Sequence, residues 1–183
     1  MAFTMKGEVD LSADRKTVWD ALNDPEILKA CIPGCETLER TEENAFRATA
    51  KMKIGPVSAA FKGKVNLLDL DPPNGYRIVG EGEGGVAGFA KGGAAVRLSD
   101  APAGTRLSYD VEAQIGGKIA QLGARLIDGV AKKMADQFFS DFAKALDERQ
   151  SIAPAPAEAP PSPMESSDNW LRRLIVWLTS LFK

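Results

Sequence analysis

Alternating apolar and polar residues dominate the first two thirds of the chain and predict an antiparallel sheet. Apolar residues or glycine fill every second position in residues 3–11, and apolar residues do so again in residues 107–115. A period of two gives each strand one apolar and one polar face, as in a sheet that is covered on one side. The pattern recurs from about Glu36 to Ile115 between turn signals such as residues 71–75 (DPPNG), which predicts about six strands after the first one.

Two short helices are predicted after the first strand, and a long helix after the last. Ser12 is expected to cap the first short helix, and Asp24 with Pro25 begins the second, which ends near Cys31. From residue 117 to about residue 146, apolar residues recur at helical spacing and predict one continuous helix. This helix is expected to pack against the concave face of the sheet. The predicted fold class is therefore α+β, with a curved antiparallel sheet of about six to seven strands around a long C-terminal helix.

A proline- and alanine-rich segment separates this predicted domain, residues 1–148, from the end of the chain. Its prolines favour an extended linker over residues 149–168. Residues 169–183 are then predicted to form an amphipathic helix with two tryptophans on its apolar face, as in helices that lie at a membrane–water interface. The alternative is a helix that packs on its own domain or on a partner. The predicted membrane-binding residues are Trp170, Leu171, Arg172, Arg173, Leu174, Ile175, Trp177, Leu178, Leu181 and Phe182.

Two features predict a cytoplasmic protein that is peripheral on the inner face of the cell membrane. The longest apolar run of the C-terminal segment, residues 174–178, is far shorter than a membrane-spanning helix requires. The N-terminal residues contain no apolar stretch typical of a signal peptide. The segment is therefore expected to touch the bilayer without crossing it.

The charge distribution argues against nucleic-acid binding. The chain has 23 basic and 25 acidic residues. Residues 169–183 hold three of the basic residues and none of the acidic ones, so the remainder is more acidic than the whole chain. Phosphate binding needs clusters of Lys and Arg, which are not visible here. The absence of histidine excludes Ser-His-Asp triads, Cys-His pairs and histidine metal sites, and no catalytic or metal-binding residues are predicted.

Two local motifs are better explained by structure than by chemistry. Cys31 and Cys35 have a spacing that matches neither a redox pair nor a zinc site, which favours packing beside a tight turn. A role at a cavity mouth or a partner surface is the alternative. The glycine-rich residues 80–93 lack the P-loop pattern and the helix that would follow it. They favour a strongly curved sheet or a flexible cavity rim.

The inward-facing rows predict a cavity for a hydrophobic small molecule. Many of their positions are glycine or alanine, and small residues also lie beside the apolar stripe of the long helix. Such rows leave space that an apolar ligand can fill, and methionines adapt to a flexible chain. A completely packed core is the alternative. The predicted cavity-lining residues are Trp19, Leu22, Leu28, Phe46, Met52, Phe61, Ile78, Val86, Phe89, Tyr109, Ile119, Leu122, Leu126, Ile127 and Met134.

Five segments carry a family resemblance. They are residues 5–8 (MKGE), 18–25 (VWDALNDP), 28–35 (LKACIPGC), 80–93 (GEGEGGVAGFAKGG) and 116–123 (GGKIAQLG). With these segments the chain resembles the CoxG family of carbon monoxide dehydrogenase accessory proteins, within the START-like (SRPBCC) helix-grip superfamily. The resemblance implies a helix-grip fold and a non-catalytic accessory protein. It also implies a molybdenum hydroxylase of the carbon monoxide dehydrogenase type as partner, placed at the cytoplasmic membrane.

Fold, C-terminal segment and resemblance together favour one function. The chain is expected to recruit the enzyme to the membrane and to bind a lipid-soluble quinone, menaquinone or ubiquinone, that accepts its electrons. One alternative is a purely structural recruiter or assembly factor that binds no ligand. The other is a START-like enzyme acting on a hydrophobic substrate, although the inward rows offer few polar groups beyond Tyr76 and Tyr109.

Overall fold

The computed structural model describes residues 1–152, so the predicted C-terminal helix and most of the predicted linker lie outside the described residues. The strands are β1 (Ala2–Leu11), β2 (Cys35–Glu42), β3 (Ala45–Ile54), β4 (Val57–Asp71), β5 (Gly75–Glu83), β6 (Phe89–Ala101) and β7 (Gly104–Gly116). The helices are α1 (Arg15–Leu22), α2 (Pro25–Cys31) and α3 (Ala124–Ile152). Two short 3₁₀ turns, Gly85–Ala87 and Ala120–Leu122, precede β6 and α3.

The strands form one antiparallel sheet in the order β1-β7-β6-β5-β4-β3-β2, which confirms the predicted fold class. Strands β2 to β7 follow one another as a meander, and β1 pairs with the last of them, so that Gly7 lies opposite Tyr109. The predicted inward rows are also confirmed, because the buried residues Phe46, Phe61 and Tyr76 each lie on the expected alternate positions of their strands. One face of the sheet therefore carries the apolar rows and packs against the helices.

Both short helices have an aspartate at the N-cap, and one of these differs from the prediction. The Asp24 carboxylate accepts a hydrogen bond from the Glu26 N–H at 3.0 Å, as predicted. Asp14 caps α1, because its carboxylate accepts from the Thr17 N–H at 3.0 Å. The predicted cap, Ser12, instead donates from its hydroxyl to Asp147 on α3 at 2.7 Å. Asp14 is the residue directly before the first helical turn, where a side-chain acceptor reaches the free N–H groups.

The prediction of one unbroken helix from residue 117 is wrong. Gly123 has a φ of +87°, and this left-handed conformation separates the 3₁₀ turn Ala120–Leu122 from α3. A side chain at residue 123 would be strained there, which glycine avoids. Ile119 and Leu122 therefore precede the long helix instead of lying on it. Within residues 1–152, no helix has the length and apolar character needed to span a membrane.

Candidate hydrophobic-ligand site

Two separate hydrophobic clusters hold the helices against the sheet. The first cluster joins α1, α2 and the C-terminal half of α3 to one end of the sheet, and its largest fully buried members are Val18, Leu107, Phe142 and Leu146. The second cluster lies at the other end and consists of Phe61, Ala87, Ile115, Ile119 and Ile127, with partly buried residues packed around them. Helix α3 is thus held against the same sheet face at both ends.

Between the two clusters, the inward face of the sheet carries small side chains. We call these positions the Gly/Ala band. They are half-buried and belong to neither cluster, although they share the alternate positions of buried neighbours. Their members are Ala48, Ala50, Gly63, Gly80, Gly82, Gly92, Ala94 and Ala113. Because these side chains are small, those in the middle of the covered face extend less far toward α3 than the large side chains at its two ends.

The part of α3 that lies across from this band is also outside both clusters. Ile127 packs in the second cluster and Phe138 against the first, and they are about 16 Å apart along the helix axis. Val130, Ala131 and Met134 lie between them, are half-buried and join neither cluster. Large side chains pack at both ends of this stretch, and the groups that face each other between them are small or apolar, which is the lining that an apolar ligand needs.

A pocket of about 340 Å³ opens beside this space, at the sheet edge that β1 forms. We call it the edge pocket. On its β1 side, Phe3 belongs to the second cluster, whereas Met5 and Gly7 belong to neither. Its other side is formed by Tyr109, which packs against the first cluster, and by α3. The edge pocket therefore lies where the two clusters separate. Its lining residues are Phe3, Thr4, Met5, Lys6, Gly7, Glu8, Tyr109, Asp128, Lys132 and Asp136.

Tyr109 is held in the edge pocket by its neighbours on both sides. Its ring stacks on Phe139 with a centroid separation of 5.3 Å and an interplanar angle of 24°. Its hydroxyl lies over Gly7, where an added Cβ would be 2.3 Å from the Tyr109 Oη. Burial and the nearby Asp136 carboxylate raise the pKa of Tyr109, so the phenol stays protonated at neutral pH. Within residues 1–152 the hydroxyl makes no hydrogen bond, and because no buried side-chain oxygen of these residues lacks a partner, the hydroxyl is open to solvent.

A larger groove of about 1060 Å³ lies on the opposite face of the sheet, which we call the outer groove. Outward-facing Val79, Gly93 and Ala95 form its floor in the middle of the sheet, and Gly80, Gly92, Ala94 and Ala113 of the Gly/Ala band also border it, although their alternate positions face the helices. Its remaining wall carries many ionisable side chains: Lys64, Arg77, Glu81, Lys91, Asp110 and Glu112. An apolar ligand buried there would remove these charges from water without satisfying them, which is unfavourable. The outer groove therefore suits a polar partner surface better than a hydrophobic ligand.

Twelve of the predicted cavity residues lie on or near the covered face, in three groups. The first cluster includes Leu22 and Phe46, and Trp19, Ile78 and Tyr109 pack against it. The second cluster includes Phe61, Ile119 and Ile127, and Met52 packs against it. Leu28, Leu122 and Met134 are half-buried and belong to neither cluster. Of this set, Tyr109 lines the edge pocket and Met134 lies across from the Gly/Ala band.

The other three predicted cavity residues are exposed, for different local reasons. Val86 is 84% exposed, because the 3₁₀ turn Gly85–Ala87 directs Ala87 into the second cluster in its place. Phe89 lies on the outer face, where its ring covers Gly116. Leu126 is also exposed, with its side chain beside Gly55, since α3 begins in a register that turns Ile127 inward. These three residues do not line the covered face.

Several residues of the edge pocket are absent from the predicted set. The alternation in the first strand predicts an inward row that contains Phe3, Met5 and Gly7. Because β1 is an edge strand, no further strand covers the open side of this row. Asp128, Lys132 and Asp136 recur every four residues along α3, next to its apolar stripe. This spacing indicates one charged helix face, but only the fold brings that face to the edge of β1.

The cysteines and the second tyrosine offer no activated group. Cys31 is buried in the first cluster and Cys35 is half-buried, and burial raises the pKa of both thiols, which disfavours the reactive thiolate. Tyr76 is buried with its ring edge-on to Trp19, at a centroid distance of 5.4 Å, and burial raises its pKa strongly. These groups contribute to packing in the part of the chain that the structure describes.

Solved structures place this architecture in a known class. A conserved protein from Geobacillus kaustophilus is 32% identical, with a TM-score of 0.75, covering 80% of this chain and 96% of its own. An uncharacterised protein from Rhizobium leguminosarum (16% identity, TM-score 0.62) covers 81% and 96%. The Zhui aromatase/cyclase from Streptomyces sp. R1128 (12% identity, TM-score 0.61) covers 85% and 100%. The fold is the helix-grip fold of START-like (SRPBCC) proteins.

The sequence narrows this class to one family. Residues 7–147 match the family of the CoxG subunit of carbon monoxide dehydrogenase. The chain belongs to the CoxG family, which confirms the resemblance carried by its motifs, and the family is one of accessory subunits. No curated protein sequence matches the chain.

Proposed function

We propose that this chain recruits a molybdenum hydroxylase of the carbon monoxide dehydrogenase type to the membrane and binds a lipid-soluble quinone that accepts its electrons. The observation that carries the ligand part is the Gly/Ala band, where small inward residues face a half-buried stretch of α3 between two packed clusters. The family supports the enzyme partner. Electron chemistry belongs to the enzyme and the quinone, and this chain supplies binding and placement.

An isoprenoid chain is the ligand chemistry that suits the band. The band and the helix residues across from it, including Val130 and Met134, are apolar or lack side chains. Burying apolar surface stabilises a complex by about 25 cal/mol per Å², so a long hydrocarbon gains much by leaving water. The edge pocket supplies a route between this space and solvent. A quinone bound there would be shielded from water while its ring stays near the surface.

Membrane attachment is proposed to reside in residues 169–183, outside the described residues. Partial burial of their apolar side chains, with about 1 kcal/mol for each basic residue at an anionic surface, favours weak and reversible binding. The extended linker would let the ligand-binding domain move between the bilayer and the enzyme.

Deleting residues 169–183 is expected to abolish sedimentation of the protein with vesicles of phosphatidylethanolamine and phosphatidylglycerol. A matched pair of substitutions tests whether the apolar face binds the bilayer, because each adds one negative charge, two positions apart, on a different face of the predicted helix. Leu178→Asp, at the centre of the apolar face, should reduce binding at least tenfold, whereas Ser180→Asp, on the polar face, should change it far less. Equal effects of the two, or full sedimentation of the deletion variant, would refute the anchor.

A second candidate function is a structural recruiter that binds no ligand. The outer groove favours it, because a floor of small residues with a charged rim resembles the core and rim of a protein interface. In this case the enzyme would dock on the outer face of the sheet. The two functions are compatible, since the ligand space and the outer groove lie on opposite faces.

A further inference from the structure

We propose that the edge pocket binds the head group of the ligand and selects an uncharged, carbonyl-bearing ring, with the Tyr109 hydroxyl as hydrogen-bond donor. This inference rests on the proposed function and defines its ligand class more narrowly. Three observations carry it: where the edge pocket lies, the state of Tyr109, and the charges around the opening.

The position of the pocket matches the point where a head group would emerge. Along β1, Phe3 belongs to the second cluster and Val9 packs against the first. Met5 and Gly7 lie between them, so the gap between the clusters reaches the sheet edge there. A hydrocarbon chain in the Gly/Ala band would therefore leave its polar end in the edge pocket. The volume of about 340 Å³ accommodates a substituted ring.

Tyr109 presents a donor that no group of the described residues satisfies. The stack on Phe139 fixes the ring, and Gly7 gives the hydroxyl the space it occupies. A side chain at residue 7 would fill that space, since its Cβ would be 2.3 Å from the oxygen. A protonated phenol donates one hydrogen bond, and a quinone carbonyl is an acceptor without charge.

The charges around the opening disfavour anionic lipids. Two carboxylates of α3, Asp128 and Asp136, line the pocket, whereas Glu8 lies in the outward row of β1. The lysine between them, Lys132, is paired with Asp136 at 3.8 Å, and Lys6 is paired with Asp110 at 2.6 Å on the outer face. A fatty-acid carboxylate or a lipid phosphate would meet a net negative surface, whereas a neutral carbonyl would not. The pocket therefore distinguishes quinones from fatty acids and phospholipids.

The test is a calorimetric titration of the full chain with three probes whose alkyl chains have nine or ten carbons: decyl-benzoquinone, decylbenzene and decanoate. The expected order of affinity is benzoquinone first, then decylbenzene, with decanoate weakest. Tyr109→Phe should weaken benzoquinone binding about three- to tenfold and leave decylbenzene unchanged, because only a hydrogen bond is lost. Gly7→Ala should act in the same direction, and Tyr76→Phe, the same chemical change outside the pocket, should have no effect. Replacing Asp128 and Asp136 together with asparagine should raise the affinity for decanoate.

The outcomes separate this inference from the proposed function. If the wild-type chain binds neither benzoquinone nor decylbenzene, ligand binding itself is refuted. If it binds benzoquinone and Tyr109→Phe binds it equally well, the head-group assignment is overturned while the quinone carrier stands. The assignment is also overturned if decanoate binds as tightly as benzoquinone. Circular dichroism of each variant confirms that the fold is kept.

Discussion

Replacing Phe142 with alanine is expected to lower the free energy of unfolding by about 3–5 kcal/mol. Phe142 is fully buried in the first cluster and stacks on Phe138, with a centroid separation of 5.6 Å. Truncation removes the transfer free energy of the ring and leaves a cavity that a rigid cluster cannot close. Because domains of this size have a stability of about 5–15 kcal/mol, a loss of this size should be plain in urea unfolding followed by circular dichroism.

Met134→Ala is the matched control on the same helix. Met134 is half-buried and lies between the two clusters, where it has fewer contacts to lose. Its truncation should cost less than about 1.5 kcal/mol, below the usual range for a packed methionine. If Met134→Ala were as destabilising as Phe142→Ala, the middle of the domain would be a filled core, and the ligand space would not exist.

Ala94→Leu is expected to reduce the affinity for a quinone at least tenfold without loss of stability. Ala94 is an inward member of the Gly/Ala band in β6, paired with Ile78 and Val111 on the neighbouring strands. A leucine there would occupy the space that the isoprenoid chain needs. In a filled core the same insertion would cost about 1–3 kcal/mol, whereas in an open apolar space it should be neutral or stabilising. Quinone titration and urea unfolding of the same variant measure both effects.

The neighbouring residue provides the control, because Ala95→Leu makes the same change on the opposite face. Ala95 lies in the floor of the outer groove. Ala95→Leu should leave quinone affinity unchanged and weaken binding to the carbon monoxide dehydrogenase-type enzyme if that enzyme docks in the outer groove. Unchanged quinone affinity in Ala94→Leu, or a stability loss typical of overpacking, would contradict the ligand space.

The sheet could be predicted from sequence because a period of two is a local signal. The rows that contain Phe46, Phe61 and Tyr109 face inward as predicted, and the small residues of the Gly/Ala band were visible in the same rows. The sequence does not reveal that these small residues separate two hydrophobic clusters, because that division depends on which helix residues lie opposite each row. The sequence also predicted a helix through Gly123, since a helical apolar period does not reveal a single left-handed residue.

The parts of the site that were missed depend on long-range contacts. The prediction that Val86 and Phe89 line the cavity is wrong because the connection between β5 and β6 contains the 3₁₀ turn Gly85–Ala87, where a period of two does not hold. The outer groove is lined by residues of β1 and of β4 to β7, which only the pairing of these strands brings together, so it has no sequence period of its own. The edge pocket requires β1 to be an edge strand beside α3, and pairing of β1 with β7 spans most of the domain.

The most direct measurement is the identification of the small molecule that accompanies the protein from its own membranes. The full chain is purified under mild conditions, its lipids are extracted, and mass spectrometry quantifies quinone per protein, with Ala94→Leu prepared in parallel. We expect a near-stoichiometric quinone with the wild-type chain and a large loss with the variant. A wild-type chain that carries no quinone, and binds none on titration, would contradict the account.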